Sequence, residues 1–583
     1  MEEREGTAIE REELEEEIAQ LPIGYISKKN IHGKIRYYRQ WTENGKIKSQ
    51  YIKEEELEGI QEQIARRKEL QQRLKELGQE EKETRRGAAG ERKKPKARQG
   101  AAKADFETNI LVGDELLAMA ENIQSREKRD CYRQLSDYLH GQGGERVCIV
   151  AGLRRTGKTT MIRQAILDME EEEADKAAYI KATAADNMEI MSRDLKRLNQ
   201  LGYRYVFIDE VTLMDDFIDS AALLSDIYGA QGMRIVLTGT DSLAFALTLR
   251  QELFDRAVLV RTTFIPFREY SRLLGVDNID EYIRYGGTLR ARETFALFRD
   301  RDSTKEYIES AVCRNIQRTL VASKDKSQFA SLRPLLERGE LISAVNQIME
   351  DMNLNFLLLA ASENPLFHDF RIAVWNLRND RSRTEQASGI TKAHLSQIKE
   401  ALIALDLIVE CPAETARSGG ETVEKVIFTQ PGMRYSQVQM QVQDLLNGER
   451  FGQLSQMDKK EFGERILMEV RGRMLEEMVL METEKSLSDR YQVFKMQMAT
   501  GEFDMVVYDT EENSCTLCEV KGSSQTAKNR FRRVPDAEKY RQIERRFGPI
   551  TERIILCRDP ELQAAGGLGG KYCRIEEYLK NLS

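Results

Sequence analysis

The segment that most constrains this chain runs from Arg146 to Thr160, RVCIVAGLRRTGKTT. A short apolar run, Val147 to Ala151, has the composition of a buried strand. Gly152 follows, and Gly157-Lys158-Thr159 completes the G-x-x-x-x-G-K-[ST] spacing of a phosphate-binding loop. The two glycines let the backbone from Gly152 through Leu153, Arg154, Arg155, Thr156 and Gly157 wrap an anion with its N–H groups pointing inward. Lys158 then reaches the β and γ oxygens of a nucleotide, and Thr159 offers its hydroxyl to Mg²⁺. A helix from Lys158 to about Met169, with Thr160 in its first turn, aims its N-terminal dipole at the phosphates. A glycine turn can match this spacing by chance. A match lying directly between an apolar strand and an amphipathic helix argues for a site that binds ATP.

A chain of 583 residues exceeds one hydrophobic core, so roughly three or four domains are expected. Charged residues make up 32% and apolar residues 41%, the balance of a soluble globular protein. No run approaches the ~18 apolar residues of a membrane span, so no membrane partner is expected. The start, MEEREGTAIEREELEEE, is acidic and reads as neither a signal nor a transit peptide. Eight scattered cysteines suit a reduced, cytoplasmic protein. A net charge of −8 gives no global attraction to nucleic acid, so any DNA or RNA contact falls to local basic patches.

Residues 1–53 read as a small β-hairpin module, with β-rich runs IGYISKK, KIRYYRQW and KIKSQYI and a turn at Asn44-Gly45. Its lysines and arginines interleave with Tyr25, Tyr37, Tyr38, Trp41 and Tyr51, a mixture compatible with nucleic-acid stacking but more simply a solvated sheet over packed aromatics. Residues 54–105 are a charged helix, with Leu57, Ile60 and Ile64 at helical spacing, followed by a basic linker from Gly87. This N-terminal part is the expected contact for self-association or a protein partner.

Residues 106–299 alternate strands and helices, which implies a parallel sheet with ligands at the carboxyl ends of its strands. The run VFIDE lifts Asp209 to that edge, where it can hold the Mg²⁺ water shell beside Thr159, and Glu210 follows as the group to orient or deprotonate water. LTGTDS ends the next strand in Thr238 and Thr240, of which Thr238 is the expected contact to γ-phosphate or water. Arg256, before the last strand, is a candidate phosphate contact in cis or an arginine finger in trans, and equally a surface partner of Asp255 or Glu252.

GLRRTGKTT, FIDEVTLMDDFID, VLTGTDSLAF, RTTFIPFREYSRLLG and IDEYIRYGGTLR together resemble the AAA-type ATPases of bacteria and archaea that carry a C-terminal nuclease-like domain. The resemblance spans roughly residues 106 to 583 and implies nucleotide and catalytic roles for Lys158, Thr159, Asp209 and Glu210. The family often has Gly-Arg where this chain has Asp255-Arg256.

Residues 300–449 read as helical and winged-helix, with Lys392, His394, Ser396, Gln397 and Lys399 expected on the exposed face of the second helix. That face suits either DNA reading or packing against the ATPase. Residues 450–583 hold a second chemical pattern. GEFDMVVYD and CTLCEVKGS flank a polar turn, a register that sets Asp504 opposite Glu519, with Lys521 two residues on. Two carboxylates can hold Mg²⁺ or Mn²⁺ while the lysine positions water for phosphodiester attack, and Glu476 on an upstream helix can join them. This is the D…E-x-K pattern of PD-(D/E)XK nucleases, and an ordinary charged hairpin can carry it too. Lys528, Arg530, Arg532 and Arg533 follow it as candidate phosphate contacts.

The expected whole is a multidomain α/β protein. It has a P-loop ATPase core with a parallel sheet, a helical and winged-helix middle domain, a C-terminal α/β nuclease-like domain, and a small N-terminal β module with its charged helix. The expected activity is ATP hydrolysis controlling a metal-dependent nuclease acting on DNA or RNA. The alternative is an ATP-gated switch whose nuclease-like domain is inactive.

Overall fold

The structure is a computed structural model. It describes residues 25–31, 34–43 and 46–52, scattered helical positions between 57 and 70, and residues 106–582 apart from 124–126, 142–145, 252, 254, 290–297, 324–325, 363, 389, 416–422, 499–500, 522–536 and 559–569. Contacts divide the chain into two units, Met1–Ala104 and Asp105–Ser583. The first contains a three-stranded antiparallel sheet of β1 (Tyr25–Ile31), β2 (Lys34–Glu43) and β3 (Lys46–Ile52). Glu43 pairs with Lys46, the register that a two-residue Asn-Gly turn dictates. The basic linker and the candidate phosphate contacts at 528–533 lie outside the described residues.

In the second unit, six strands form one sheet in the order β4-β6-β7-β8-β5-β9. These are β4 (Asn109–Val112), β5 (Val147–Ala151), β6 (Ala177–Lys181), β7 (Tyr205–Asp209), β8 (Arg234–Thr238) and β9 (Ala257–Arg261). From β6 to β9 all neighbours are parallel, and only the edge strand β4 runs antiparallel, against β6. β5 is buried along its whole length, as its apolar run requires. Cores on both faces of the sheet hold it: Ile149, Ile208 and Leu237 turn to one side, and Cys148, Phe207 and Val236 to the other. β8 separates the phosphate-loop strand β5 from β7. The loops after β5, β7 and β8 therefore open side by side at one edge.

The strands β10 (Ile408–Thr415) and β11 (Val423–Phe428), expected as a wing, belong to a second sheet, of order β11-β10-β12-β13-β14-β15-β16. Its other members are β12 (Tyr491–Met498), β13 (Gly501–Asp509), β14 (Ser514–Lys521), β15 (Ile550–Cys557) and β16 (Lys571–Arg574). Ala413 pairs with Lys495 in parallel, so the sheet runs unbroken across the boundary expected at residues 449–450. The long helix Gln456–Ser486 and the helix Ala537–Phe547 complete an α-β-β-β-α-β order with β12 to β15. Glu482 of the long helix is buried and accepts from Phe267 N at 2.9 Å and from the Tyr282 hydroxyl at 3.1 Å, tying this half to the helices that follow β9.

The helix expected as the second of a winged-helix element spans Lys392–Ala404. It does not present the expected polar face. His394 is buried, because its ring closes a capping box with Thr391: Nδ1 accepts from Thr391 N at 3.0 Å. Gln397 accepts from Ser331 N, and Lys399 pairs with Glu410. Packing has taken three of the five side chains expected to be free.

Candidate functional site

The phosphate loop connects the fully buried β5 to the helix Lys158–Asp168. Gly157 has φ +94°, the left-handed conformation that turns the chain into that helix. At Gly152 a Cβ would lie 2.0 Å from Thr262 Oγ1, so only glycine lets the loop leave the sheet here. Thr156 is buried, with its hydroxyl bonded to Leu153 O at 2.9 Å and to Thr262 Oγ1 at 2.7 Å. Arg155 is exposed at φ +65°, and its carbonyl accepts from Leu289 N. Arg154 is half-buried, and its carbonyl accepts from the Tyr307 hydroxyl. Lys158 Nζ donates to the carbonyls of Gly152 at 2.7 Å and Leu153 at 2.9 Å. Burial pulls its ammonium down to about 8, against the opposing pull of Glu210 and Asp209.

Asp209 ends β7 and is buried. Its Oδ2 accepts from the Tyr179 hydroxyl at 2.8 Å and Lys181 Nζ at 2.9 Å, with Thr159 Oγ1 at 3.4 Å. Burial pushes the carboxyl up, but the Lys181 ammonium and the hydroxyls of Tyr179 and Thr238 outweigh it and hold the group below the usual carboxylate range. An ionised carboxylate beside a threonine hydroxyl at a phosphate loop is a donor set that fits hydrated Mg²⁺. Thr238 spends its hydroxyl on Asp209 Oδ1 at 3.1 Å, so it orients that carboxylate. The neighbouring pair is built the same way. Glu210 has φ +60°, and its Oε2 accepts from Thr240 N at 3.1 Å and Thr240 Oγ1 at 3.2 Å.

Arg256 is placed elsewhere. β9 runs parallel to β5, with Val147 opposite Ala257 and Ala151 opposite Arg261. Arg256 therefore lies beside Arg146, separated from the phosphate loop by the length of β5, roughly 16 Å at ~3.3 Å per residue. At that separation the cis contact to phosphate, one of the alternatives for Arg256, lies out of its reach. Its Nε lies 3.1 Å from Asp226, and Asp255 pairs instead with Arg146.

One supporting residue had no signal in the motif spacing. Arg129 is buried behind the loop, where it pairs with buried Glu269. It also donates to the carbonyl of Thr156 and to those of Thr262 at 3.0 Å and Phe264 at 2.8 Å. Its partners lie 27 to 140 positions away in sequence, beyond any local pattern.

The carboxylates of the second sheet do not converge as expected. Those that gather, each with an oxygen within 4.8 Å of the others, are Glu476, Glu502 and Asp504 among the described residues. The register shifts on β12 between Phe494 and Met496, a bulge that sets Lys495 against Asp504 and Met505. It gathers Asp504 with Glu476 of the long helix. Glu519 stands outside the group. Its neighbours Cys518 and Val520 are buried in the core against the long helix, so alternation turns Glu519 to the other face, where its Oε2 is 2.8 Å from Lys521 Nζ. Lys495 lies 2.7 Å from Glu502 and 3.4 Å from Glu476, and Arg473 lies within 3.4 Å of both carboxylates. Asp504 accepts from Val520 N at 2.8 Å. Burial, then the nearby Asp504, pushes the Glu476 carboxyl up.

Residues 144–271 match the AAA domain family, and residues 4–62 match a domain of unknown function, DUF6788. No curated protein matches the chain. A solved structure titled for the structural basis of katanin self-assembly aligns over 28% of this chain, at 12% identity and a TM-score of 0.17. The alignment spans 55% of that structure's chain. Among the described residues no helix is long and apolar enough to cross a membrane.

Proposed function

We propose that the AAA domain at residues 144–271 binds and hydrolyses ATP. The observation that carries the reading is the juxtaposition at one sheet edge of Lys158 in its loop, ionised Asp209 beside Thr159, and Glu210 held by Thr240. Lys158 and the loop N–H groups bind the phosphates, and Thr159 and Asp209 hold the Mg²⁺. Mg²⁺, when bound, neutralises charge on the β- and γ-phosphates. Glu210 orients the attacking water and takes its proton. Release of phosphate from ATP by the intact protein, lost on chelation of Mg²⁺, tests the reading. No release above a protein-free control with Mg²⁺ present contradicts it.

The depressed Lys158 sets the pH dependence of binding. Nucleotide phosphates favour the charged ammonium, so the complex has the higher pKa and binding takes up a proton above about pH 8. ATP affinity is expected to be flat below that point and to fall by up to ~10-fold per pH unit above it. Calorimetric titrations across that range check this. Undiminished affinity at the alkaline end contradicts it.

The second sheet supports a companion reading. Its α-β-β-β-α-β order favours a nuclease-like fold. The placement of Glu519 away from Asp504, with Lys495 and Arg473 at the gathered carboxylates, favours the form in which nucleotide state switches an interaction rather than strand cleavage. The protein incubated with DNA or RNA and Mg²⁺ or Mn²⁺, with and without ATP, is expected to leave the nucleic acid intact. Cleavage that disappears in Asp504→Ala while ATP hydrolysis persists would restore the nuclease form.

A further inference from the structure

The helix Arg314–Ala322 lies beyond the AAA domain match, yet it grips the turn that follows β8. Asn315 is 1% exposed, and its amide spends both functions on that turn. Nδ2 donates to Thr240 O at 2.9 Å, and Oδ1 accepts from Leu243 N at 3.3 Å. One helical turn later, Arg318 reaches Asp241 at 3.7 Å. The same helix face thus holds Thr240, Asp241 and Leu243, at the start of the helix Ser242–Gln251.

Thr240 is also the residue that holds Glu210, through its N–H and its hydroxyl. Asn315 fixes Thr240 by its carbonyl, and Glu210 is fixed by its amide and side chain. Glu210 sits past the end of β7 at φ +60°, so the regular strand no longer sets its direction. A buried amide with both its polar groups engaged is costly to displace, because separation would leave donor and acceptor unpaired away from water.

We propose that Asn315 is a positioning residue for Glu210. Through Thr240 it fixes the carboxylate where it can act on water, and so makes turnover depend on the seat of the 314–322 helix. Nucleotide affinity does not depend on this link, since the hydrogen bonds of Asn315 go to Thr240 and Leu243, both outside the phosphate loop. The proposal rests on the reading that Glu210 acts on water during ATP hydrolysis.

The test compares Asn315→Ala and Asn315→Asp with the intact wild-type protein, measuring kcat, ATP dissociation constant and thermal unfolding. Asn315→Asp is nearly isosteric and keeps the acceptor for Leu243 N, but it removes the donor to Thr240 O, so it reports even if the alanine variant fails to fold. Both are expected to lower kcat by about 10-fold or more, because small displacements of a catalytic group are expensive, while leaving ATP affinity within about two-fold. In a Glu210→Gln background, Asn315→Asp is expected to lower the residual rate no further, since the group it positions is already disabled. A wild-type kcat in Asn315→Asp overturns the proposal. So does an equal loss of affinity and turnover, or the same fold-loss of rate in the Glu210→Gln background. If Glu210→Gln itself hydrolyses ATP at the wild-type rate, the assignment of the base has failed, a result separable from the others.

Discussion

Glu210→Gln is expected to bind ATP with near wild-type affinity and to lose about 10²-fold or more in kcat. The glutamine fills the same space and keeps an oxygen to accept from Thr240 N, a bond of 3.1 Å in the native site. Lys158, Thr159 and Asp209, proposed to hold the phosphates and the Mg²⁺, are unaltered. What is lost is the capacity to take a proton from water, and removal of one preorganised catalytic group typically costs ~10²–10³-fold in rate. Single-turnover hydrolysis beside an affinity measurement separates the two effects. A wild-type rate would transfer the role of base to another residue.

The second large effect belongs to Arg129. Arg129→Met leaves Glu269, 1% exposed, without its ion-pair partner and removes the donor to Thr156, Thr262 and Phe264 carbonyls. Stranding one member of a buried pair costs about 3–5 kcal/mol. Because Thr156 is in the phosphate loop, the variant is expected to unfold at lower temperature and to bind ATP more weakly. Replacing both partners, as Arg129→Met with Glu269→Leu, is expected to recover much of the stability, since no buried charge is then stranded. A single variant that melts with the wild type would show the pair to be energetically idle.

The nucleotide edge was legible because its signals are local. Glycine spacing sets the loop, and short apolar runs set the buried strands that end in Asp209 and Thr238. Which hydroxyl meets which carboxylate was not legible. Thr238 and Thr240 lie two apart and serve adjacent acids, Thr238 on Asp209 and Thr240 on Glu210, a choice set by how β8 lies against β7. Which of the alternatives for Arg256 applies was not legible, because a residue's number along a strand says nothing of which end faces the ligand until neighbouring strands fix direction. In the second sheet the hairpin register follows the sequence count from Asp509–Ser514 to Met505–Cys518. A bulge against β12 then overrode simple alternation, gathering Asp504 with Glu476 and Glu502, and no sequence pattern marks that bulge. His394 illustrates the same limit, since its capping bond competes with the exposed position that helix spacing suggests.

The proposed ATPase requires Lys158 to hold nucleotide phosphate at the end of β5, and calorimetric titration of ATP with Mg²⁺ into wild-type protein and Lys158→Ala tests that most directly. Lys158 is expected to be indispensable, because its buried ammonium is the cation that the loop carbonyls of Gly152 and Leu153 hold in place. The wild type should bind one equivalent of ATP, and Lys158→Ala, folded by its unchanged thermal unfolding, should bind none. Equal affinity in the two proteins would contradict the account.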